Sequence, residues 1–221
     1  MARVSAALGT DSDRFTLVGG SAVALVTDER VPARPTEDVE LVTHASSQIE
    51  AHHVEALLAK AGFRHDLGGQ RPFRGAFLLE DIEVDVAMTP VGHTNPWYST
   101  VREQSEPRLT LGLRVATPLG LLATKLVAYR DRGRDEPLAS HDLEDIVALL
   151  LSHPRLVEGH LRRPSSRMAR HVVRELSAIA KGKSGRELIQ AHAGHDLASQ
   201  ERGYALWEAL CRLGSGGAPD Q

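Results

Sequence analysis

A single cysteine, Cys211, stands among the 221 residues, which excludes an intramolecular disulfide and any zinc site built from several thiolates. Aromatic residues make up only 4% of the chain. A protein that holds single-stranded nucleic acid by stacking bases on successive rings would carry more of them. Positive charge is not in excess either: the formal net charge is -3, so no global basic field draws the chain to nucleic acid, and any such contact must rest on a local patch. No apolar run reaches the roughly 18 residues of a membrane-spanning helix. The opening residues MARVSAALGTDSDR lack the sustained apolar core of a signal peptide. There is no Walker-type G-x-x-x-x-G-K and no nucleophile elbow, nor is there a catalytic Cys–His pattern. The expectation is a cytoplasmic protein with no membrane partner. Its 42% apolar and 25% charged residues are ordinary for a globular chain, and its length suits a small catalytic domain with a helical tail.

What is present divides into two parts of different character. RFTLVGG reads as a short strand near residues 15–18, stopped by Gly19 and Gly20, with an apolar helix-compatible stretch behind it. The proline-bearing segment RVPARPTE is a loop, and DVELV after it is a strand. A helix is predicted from Ser47 to Ala61 on the apolar stripe Ile49, Val54, Leu57 and Leu58. Residues 63–67, 74–79 and 83–88 read as three successive strands, separated by LGGQRP and by the turn Glu80-Asp81. From residue 117 the pattern is helical. Thr117-Pro118 is an N-cap followed by proline at the first helical position, and Ser140 or Asp142 caps the helix HDLEDIVALLLSH. Further helices are expected over 155–180 and 198–213. The fold class predicted is α/β (α+β), a mixed sheet core at residues 10–115 with a C-terminal helical region at 116–213. A disordered tail, GSGGAPDQ, is expected at 214–221.

The chemistry-bearing feature is a strand, a Gly-Gly turn and a helix, then a D-x-E strand and a later strand with its own aspartate. Alternation places Asp38 and Glu40 on one side of their strand, and Glu83, Asp85 and Ala87 on one side of theirs. Transfer of a phosphoryl or nucleotidyl group needs divalent cations to neutralise the triphosphate and the charge that develops on the leaving group. Hard Mg²⁺ prefers carboxylate oxygens, and residues at i and i+2 on a strand present two of them together. A third carboxylate from another strand completes the set. The Gly-Gly turn lets the backbone approach phosphates, with a helix N-terminus adding amide donors.

Val18-Gly19-Gly20 followed by Asp38-Val39-Glu40 resembles the signature of the nucleotidyltransferase superfamily related to DNA polymerase beta. Within it the chain is most similar to the AbiEii-type toxins. Arg34-Pro35-Thr36-Glu37-Asp38-Val39-Glu40 fits their arginine, threonine and carboxylate pair. Lys125, then Arg130 or Arg132, then Asp142-Leu143-Glu144-Asp145 fits their later lysine, arginine and D-x-x-D helix. The resemblance spans about Phe15 to Leu150. It implies an enzyme that moves an NMP from an NTP to an acceptor hydroxyl, with Asp38, Glu40 and Asp85 as metal-binding catalytic carboxylates. It further implies Mg²⁺ or Mn²⁺ as the ion, and Gly19, Gly20, Ser21, Arg34, Thr36, Lys125, Asp142 and Asp145 as nucleotide-binding residues. The partners implied are an NTP and a cognate antitoxin protein, with RNA as the acceptor the toxins point to and a small molecule or a protein hydroxyl as open alternatives.

The chain departs from the pattern in two places. Seventeen residues, Ser21 to Glu37, separate Gly20 from Asp38, and Glu40 stands where aspartate is commoner. The extra methylene moves the carboxylate by about 1.5 Å. The alternative reading is therefore a nucleotide-binding or interaction module that keeps the fold without catalysis. Other signals have plainer accounts. Lys125 also suits a solvent-facing helical lysine, and Asp142 and Asp145 suit a helix N-terminal turn. The pairs His52-His53 and the single His141, His192 and His195 lack metalloprotease spacing and read as surface or capping residues. RRPSSRMARHVVRE, residues 162–175, is a basic stretch on an acidic chain, fit either for RNA or for solvent.

Overall fold

The computed structural model describes residues 1–31, 34–36, 38–67, 75–92 and 95–213. The predicted tail at 214–221 lies outside the described residues, as do residue 74 of the expected strand at 74–79 and most of the LGGQRP loop. The chain forms two compact units, Met1–Leu25 with Pro35–Leu121, and Val26–Arg34 with Leu122–Gln221.

The first unit is built on a seven-stranded mixed sheet. Its strands are β1 (Thr16–Val18), β2 (Asp38–Ala45), β3 (Arg64–His65), β4 (Ala76–Leu79), β5 (Ile82–Pro90), β6 (Glu106–Arg108) and β7 (Leu113–Val115), in the order β3-β4-β5-β2-β1-β7-β6. The two central long strands, β2 and β5, run parallel, and so do β1 and β7. The other neighbours are antiparallel. Parallel pairs need crossovers, and helices supply them. Helix α1 (Ala2–Leu8) precedes the sheet, α2 (Gly19–Val26) leaves β1, α3 (Gln48–Lys60) follows β2, and α4 (Tyr98–Glu103) follows β5. Ser47 caps α3 by accepting from the Glu50 amide, while the Glu50 carboxylate accepts from the amide and hydroxyl of Ser46. This reciprocal pairing satisfies helix-end donors much as a capping box does, and it sets where α3 starts.

Strand β2 is core along one face throughout and along the other only at Val42, beyond its two carboxylates. Val39, Leu41, Thr43 and Ala45 are all buried, whereas Asp38 and Glu40 are half-buried and His44 is exposed. On β5, Val84, Val86 and Met88 are buried while Glu83 is exposed and Asp85 half-buried. Alternation thus sends apolar side chains to the core and collects carboxylates on the opposite face.

The second unit is helical. Helix α5 (Pro118–Ala128), within which the two units divide, is followed by α6 (His141–Ser152), α7 (Arg167–Ala180), α8 (Gly185–Ala193) and α9 (Leu197–Arg212). The Thr117 hydroxyl accepts from the Gly120 amide at the start of α5, as its Thr-Pro opening predicts. Leu143, Ile146, Val147, Leu149 and Leu150 of α6 are buried, and Val172 and Leu176 of α7 join them in the core. The single helix expected over 155–180 is instead a wide turn at Leu156–Leu161 followed by α7, because Pro164 removes a helical amide between them. Among the described residues no helix is long and apolar enough to cross a membrane.

Candidate functional site

Register assembles the carboxylate face. Antiparallel pairing sets Glu40 opposite Val18, and parallel pairing sets the same Glu40 opposite Asp85 and Asp38 opposite Glu83. Residues opposite one another in a sheet share a face at roughly 5 Å between Cβ atoms. Asp38, Glu40 and Asp85 therefore stand together on two adjacent strands, and Glu83 joins them. The alternation of IEVDV already put Glu83 on the same side as Asp85. Only the cross-strand register shows that Glu83 faces Asp38.

The end of β1 meets this face directly. Gly19 has φ 68, a left-handed conformation natural to glycine, and a Cβ there would lie 1.4 Å from Glu40 Oε2. The Glu40 carboxylate thus occupies the room that the missing side chain leaves. Its Oε2 accepts from the Gly20 amide at 3.2 Å, in the first turn of α2. Ser21 is tied in as well. Its hydroxyl donates to the Asp38 carbonyl oxygen at 2.9 Å and lies 2.9 Å from the Thr36 hydroxyl. With the one Ser21 proton spent on Asp38, Thr36 is the donor in the second contact. The relay Thr36 to Ser21 to Asp38 ties the loop before β2 to the helix after β1 and sets where β2 begins.

The donor set is all carboxylate, with no thiolate or imidazole among its members, and in kind it fits a hard divalent cation. The Glu40 carboxylate lies on the glycine turn. Among the described residues no three His, Cys, Asp or Glu side chains form a ready-made metal cage. A cation at this face would have Asp38, Glu40 and Asp85 as its carboxylate neighbours.

The second unit carries the other predicted residues. Lys125 on α5 is buried, with its Nζ 3.1 Å from Asp142 Oδ1 and 2.7 Å from Asp145 Oδ2, both at the start of α6. This sets aside the alternative of a solvent-facing lysine: α5 turns Lys125 inward, against two carboxylates. Asp142 also accepts from Arg132, Nε to Oδ2 at 2.8 Å and Nη2 to Oδ1 at 3.1 Å. Arg34 Nε lies 3.4 Å from Asp145 Oδ1. Of the two candidate arginines, Arg132 is the one that joins the network, whereas Arg130 pairs with its neighbour Asp131 on the surface. No signal in the sequence separates them, because the choice depends on a wide helical turn at Tyr129–Gly133. Gly133 lets that turn approach α6, since a Cβ there would meet Ser140 Oγ at 2.4 Å. Ser140, not Asp142, caps α6 by accepting from the Leu143 amide. That leaves the Asp142 carboxylate for the cations.

The central strand carries D-x-E opposite a glycine turn at a helix start, with an aspartate on the parallel neighbour, the arrangement that the resemblance to nucleotidyltransferases implies. The family model described as nucleotidyl transferase AbiEii toxin, type IV toxin–antitoxin system, matches residues 3–210, and the chain belongs to this family. No curated protein matches the chain.

Two measurements follow from this geometry. Gly19→Ala should lower stability by about 1–2 kcal/mol for the left-handed backbone alone, and more once Glu40 is pushed aside. An unchanged urea midpoint would mean the turn is not held as described. Lys125→Met should cost about 3–5 kcal/mol, since it removes the buried cation that Asp142 and Asp145 share and leaves each only its one arginine. Acid should reach the same network. Burial works to raise the Asp142 carboxyl, but the hydrogen bond from Arg132 and the charges of Lys125 and Arg132 outweigh it, so its pKa lies below the ordinary 3.8. The folded chain then binds fewer protons there than the unfolded one. That contribution to stability is complete above pH 3.8 and is lost as the pH falls through the depressed value. Urea titrations of wild type and Lys125→Met across that range should converge at low pH.

Proposed function

We propose that this chain is a Mg²⁺-dependent nucleotidyltransferase that moves an NMP from an NTP to a hydroxyl of an RNA acceptor. The observation that carries the reading is the register that sets Glu40 between the glycine turn and Asp85, in a chain of the AbiEii toxin family. Asp38, Glu40 and Asp85 are the residues that would hold the cation, with Mn²⁺ as the alternative ion. Bound there, the ion would neutralise the triphosphate and lower the cost of charge on the departing pyrophosphate.

The chain's own groups do the rest. Gly19 and Gly20 bring backbone close to the phosphates, and Ser21 and Thr36 hold Asp38 at the start of β2. Asp85 takes the proton from the acceptor hydroxyl as its oxygen attacks the α-phosphorus. The bond from that phosphorus to the bridging oxygen of the β-phosphate breaks, and pyrophosphate leaves with the electron pair. In the second unit, Asp142 and Asp145 hold Lys125, and Arg34 lies against Asp145. The type IV toxin–antitoxin family supports a cognate antitoxin as the protein partner.

Helix α7 supports RNA as the acceptor class. Arg167, Arg170 and Arg174 stand exposed at i, i+3 and i+7, opposite the buried Met168, Ala169, Val172 and Val173, and Arg162 and Arg163 are exposed just before them. Five arginines against one glutamate in residues 162–175 make a local basic stripe on a chain of net charge -3. With few aromatics for stacking, such a stripe suits backbone phosphates.

Calorimetric titration of each NTP with Mg²⁺ should show binding to wild type that disappears in Asp38→Ala. Binding indifferent to both the ion and Asp38 would instead support a module without catalysis. Replacing Arg163, Arg167 and Arg170 together by glutamine should weaken RNA binding and reduce the slope of log K against log salt by about 2, at roughly 0.7 per phosphate contact. An unchanged slope would return the stripe to solvent. Label from NTP appearing only on small molecules, and never on total RNA, would remove RNA as the acceptor.

A further inference from the structure

We infer that Arg134 and Arg174 form a phosphate-binding pair for RNA, and that Glu175, the one acidic residue in the stretch 162–175, positions them. The inference rests on the reading of RNA as acceptor. It extends the contact surface from α7 to Arg134, the residue after the wide turn at Tyr129–Gly133.

By charge alone Glu175 is a fault in a surface meant for phosphates, since it repels them. Its surroundings give it another part. The Glu175 side chain is 15% exposed, whereas those of Arg174 and Arg134 are 68% and 57% exposed. The carboxylate is mostly covered, and the two guanidiniums lie on the surface. Glu175 Oε1 accepts from Arg174 Nε at 3.1 Å and from Nη2 at 2.9 Å. Its Oε2 lies 3.9 Å from Arg134 Nη2. One carboxylate thus draws together two cations from separate elements.

His171 fixes the Arg174 guanidinium from a second side. The ring is buried, and its Nδ1 lies 2.9 Å from Arg174 Nη2. A guanidinium is donor-only, so Nδ1 is the acceptor and carries no proton. Burial, opposed by Glu175 and aided by Arg174 and Arg130, lowers the His171 pKa and favours that form. Arg174 therefore spends Nε and Nη2 inward, while its Nη1 has no partner among the described residues. A guanidinium held along one edge has the direction of its other edge set in advance, so less freedom is lost when a phosphate binds. Two cations against one anion leave the group net positive with the carboxylate in place. Arg170, exposed one turn earlier on α7, joins the pair to the rest of the stripe.

The test is a double-mutant cycle of Arg134→Gln and Glu175→Gln, read as the salt dependence of affinity for a fluorescently labelled single-stranded RNA. Arg134→Gln should weaken binding and reduce the slope of log K against log salt by about 0.7, the share of one phosphate contact. Glu175→Gln should also weaken binding and reduce the slope, although it removes a negative charge. In that background Arg134→Gln should change the slope no further, because Arg134 has already lost its hold. If Glu175 only neutralised Arg134, the pattern would reverse: Glu175→Gln would tighten binding, and Arg134→Gln would matter only beside it. That reversal overturns the inference, and so does a slope that Arg134→Gln leaves unchanged in the wild-type background. Urea midpoints check that the variants fold. Where Glu175→Gln proves unstable, Glu175→Asp keeps the charge, shortens the reach by about 1.5 Å, and should show the same reduced slope. Failure of the parent reading looks different: wild type itself would then bind RNA without salt dependence or not at all, which removes this inference with it.

Discussion

Strand β2 is held from both sides, antiparallel to β1 and parallel to β5, and this double register places Glu40 opposite Val18 and Asp85 at once. Val18 is the last residue before the glycine turn, so a residue opposite it reaches that turn, and a residue opposite Asp85 reaches the carboxylates of β5. A slip of one residue would send Asp38 and Glu40 into the core and bring Val39 and Leu41 to the open face. The buried row Val39, Leu41, Thr43 and Ala45 prevents that slip. Hydrophobic burial on one face of β2 therefore sets the chemistry on the other.

The second unit solves a different problem. Burying Lys125, Asp142 and Asp145 costs solvation that each ion recovers only from its neighbours. Ser140 caps α6, which releases Asp142 from the helix end, and the wide turn at Tyr129–Gly133 delivers Arg132 to the same carboxylate. The result is alternating charge, Arg132–Asp142–Lys125–Asp145–Arg34, running from a half-exposed guanidinium to one that is largely covered. Such an arrangement ties Lys125 of α5 to the first turn of α6 through both aspartates.

Much of this was legible in advance where a pattern was long or carried its own punctuation. Helix α3 and strand β5 lie within a residue or two of expectation, β2 starts as read but runs three residues past DVELV, and the Thr117-Pro118 start of α5 is as read. Elements that depend on partners were not legible. Strands β6 and β7 have three residues each, and β6 contains Pro107, which an edge strand tolerates but which gives no local signal. Helix α8 follows α7 after a short turn and is only nine residues long, too short for its apolar positions to stand out. Lys125 looked the same, from its neighbours in sequence, whether it faced water or two aspartates.

By itself, the sequence determined the residue types and their phase: apolar and acidic residues alternate along β2 and β5, and two glycines end β1. Local spacing is enough for that, because side-chain direction in a strand repeats every two residues. Tertiary structure alone decided which residues meet. It set Glu83 opposite Asp38, laid the Glu40 carboxylate on Gly20, chose Arg132 over Arg130, and turned Lys125 inward. Each of these is a contact between segments far apart in the chain or across a turn of unusual width. Its partner is chosen by register and packing, neither of which a single stretch of sequence contains.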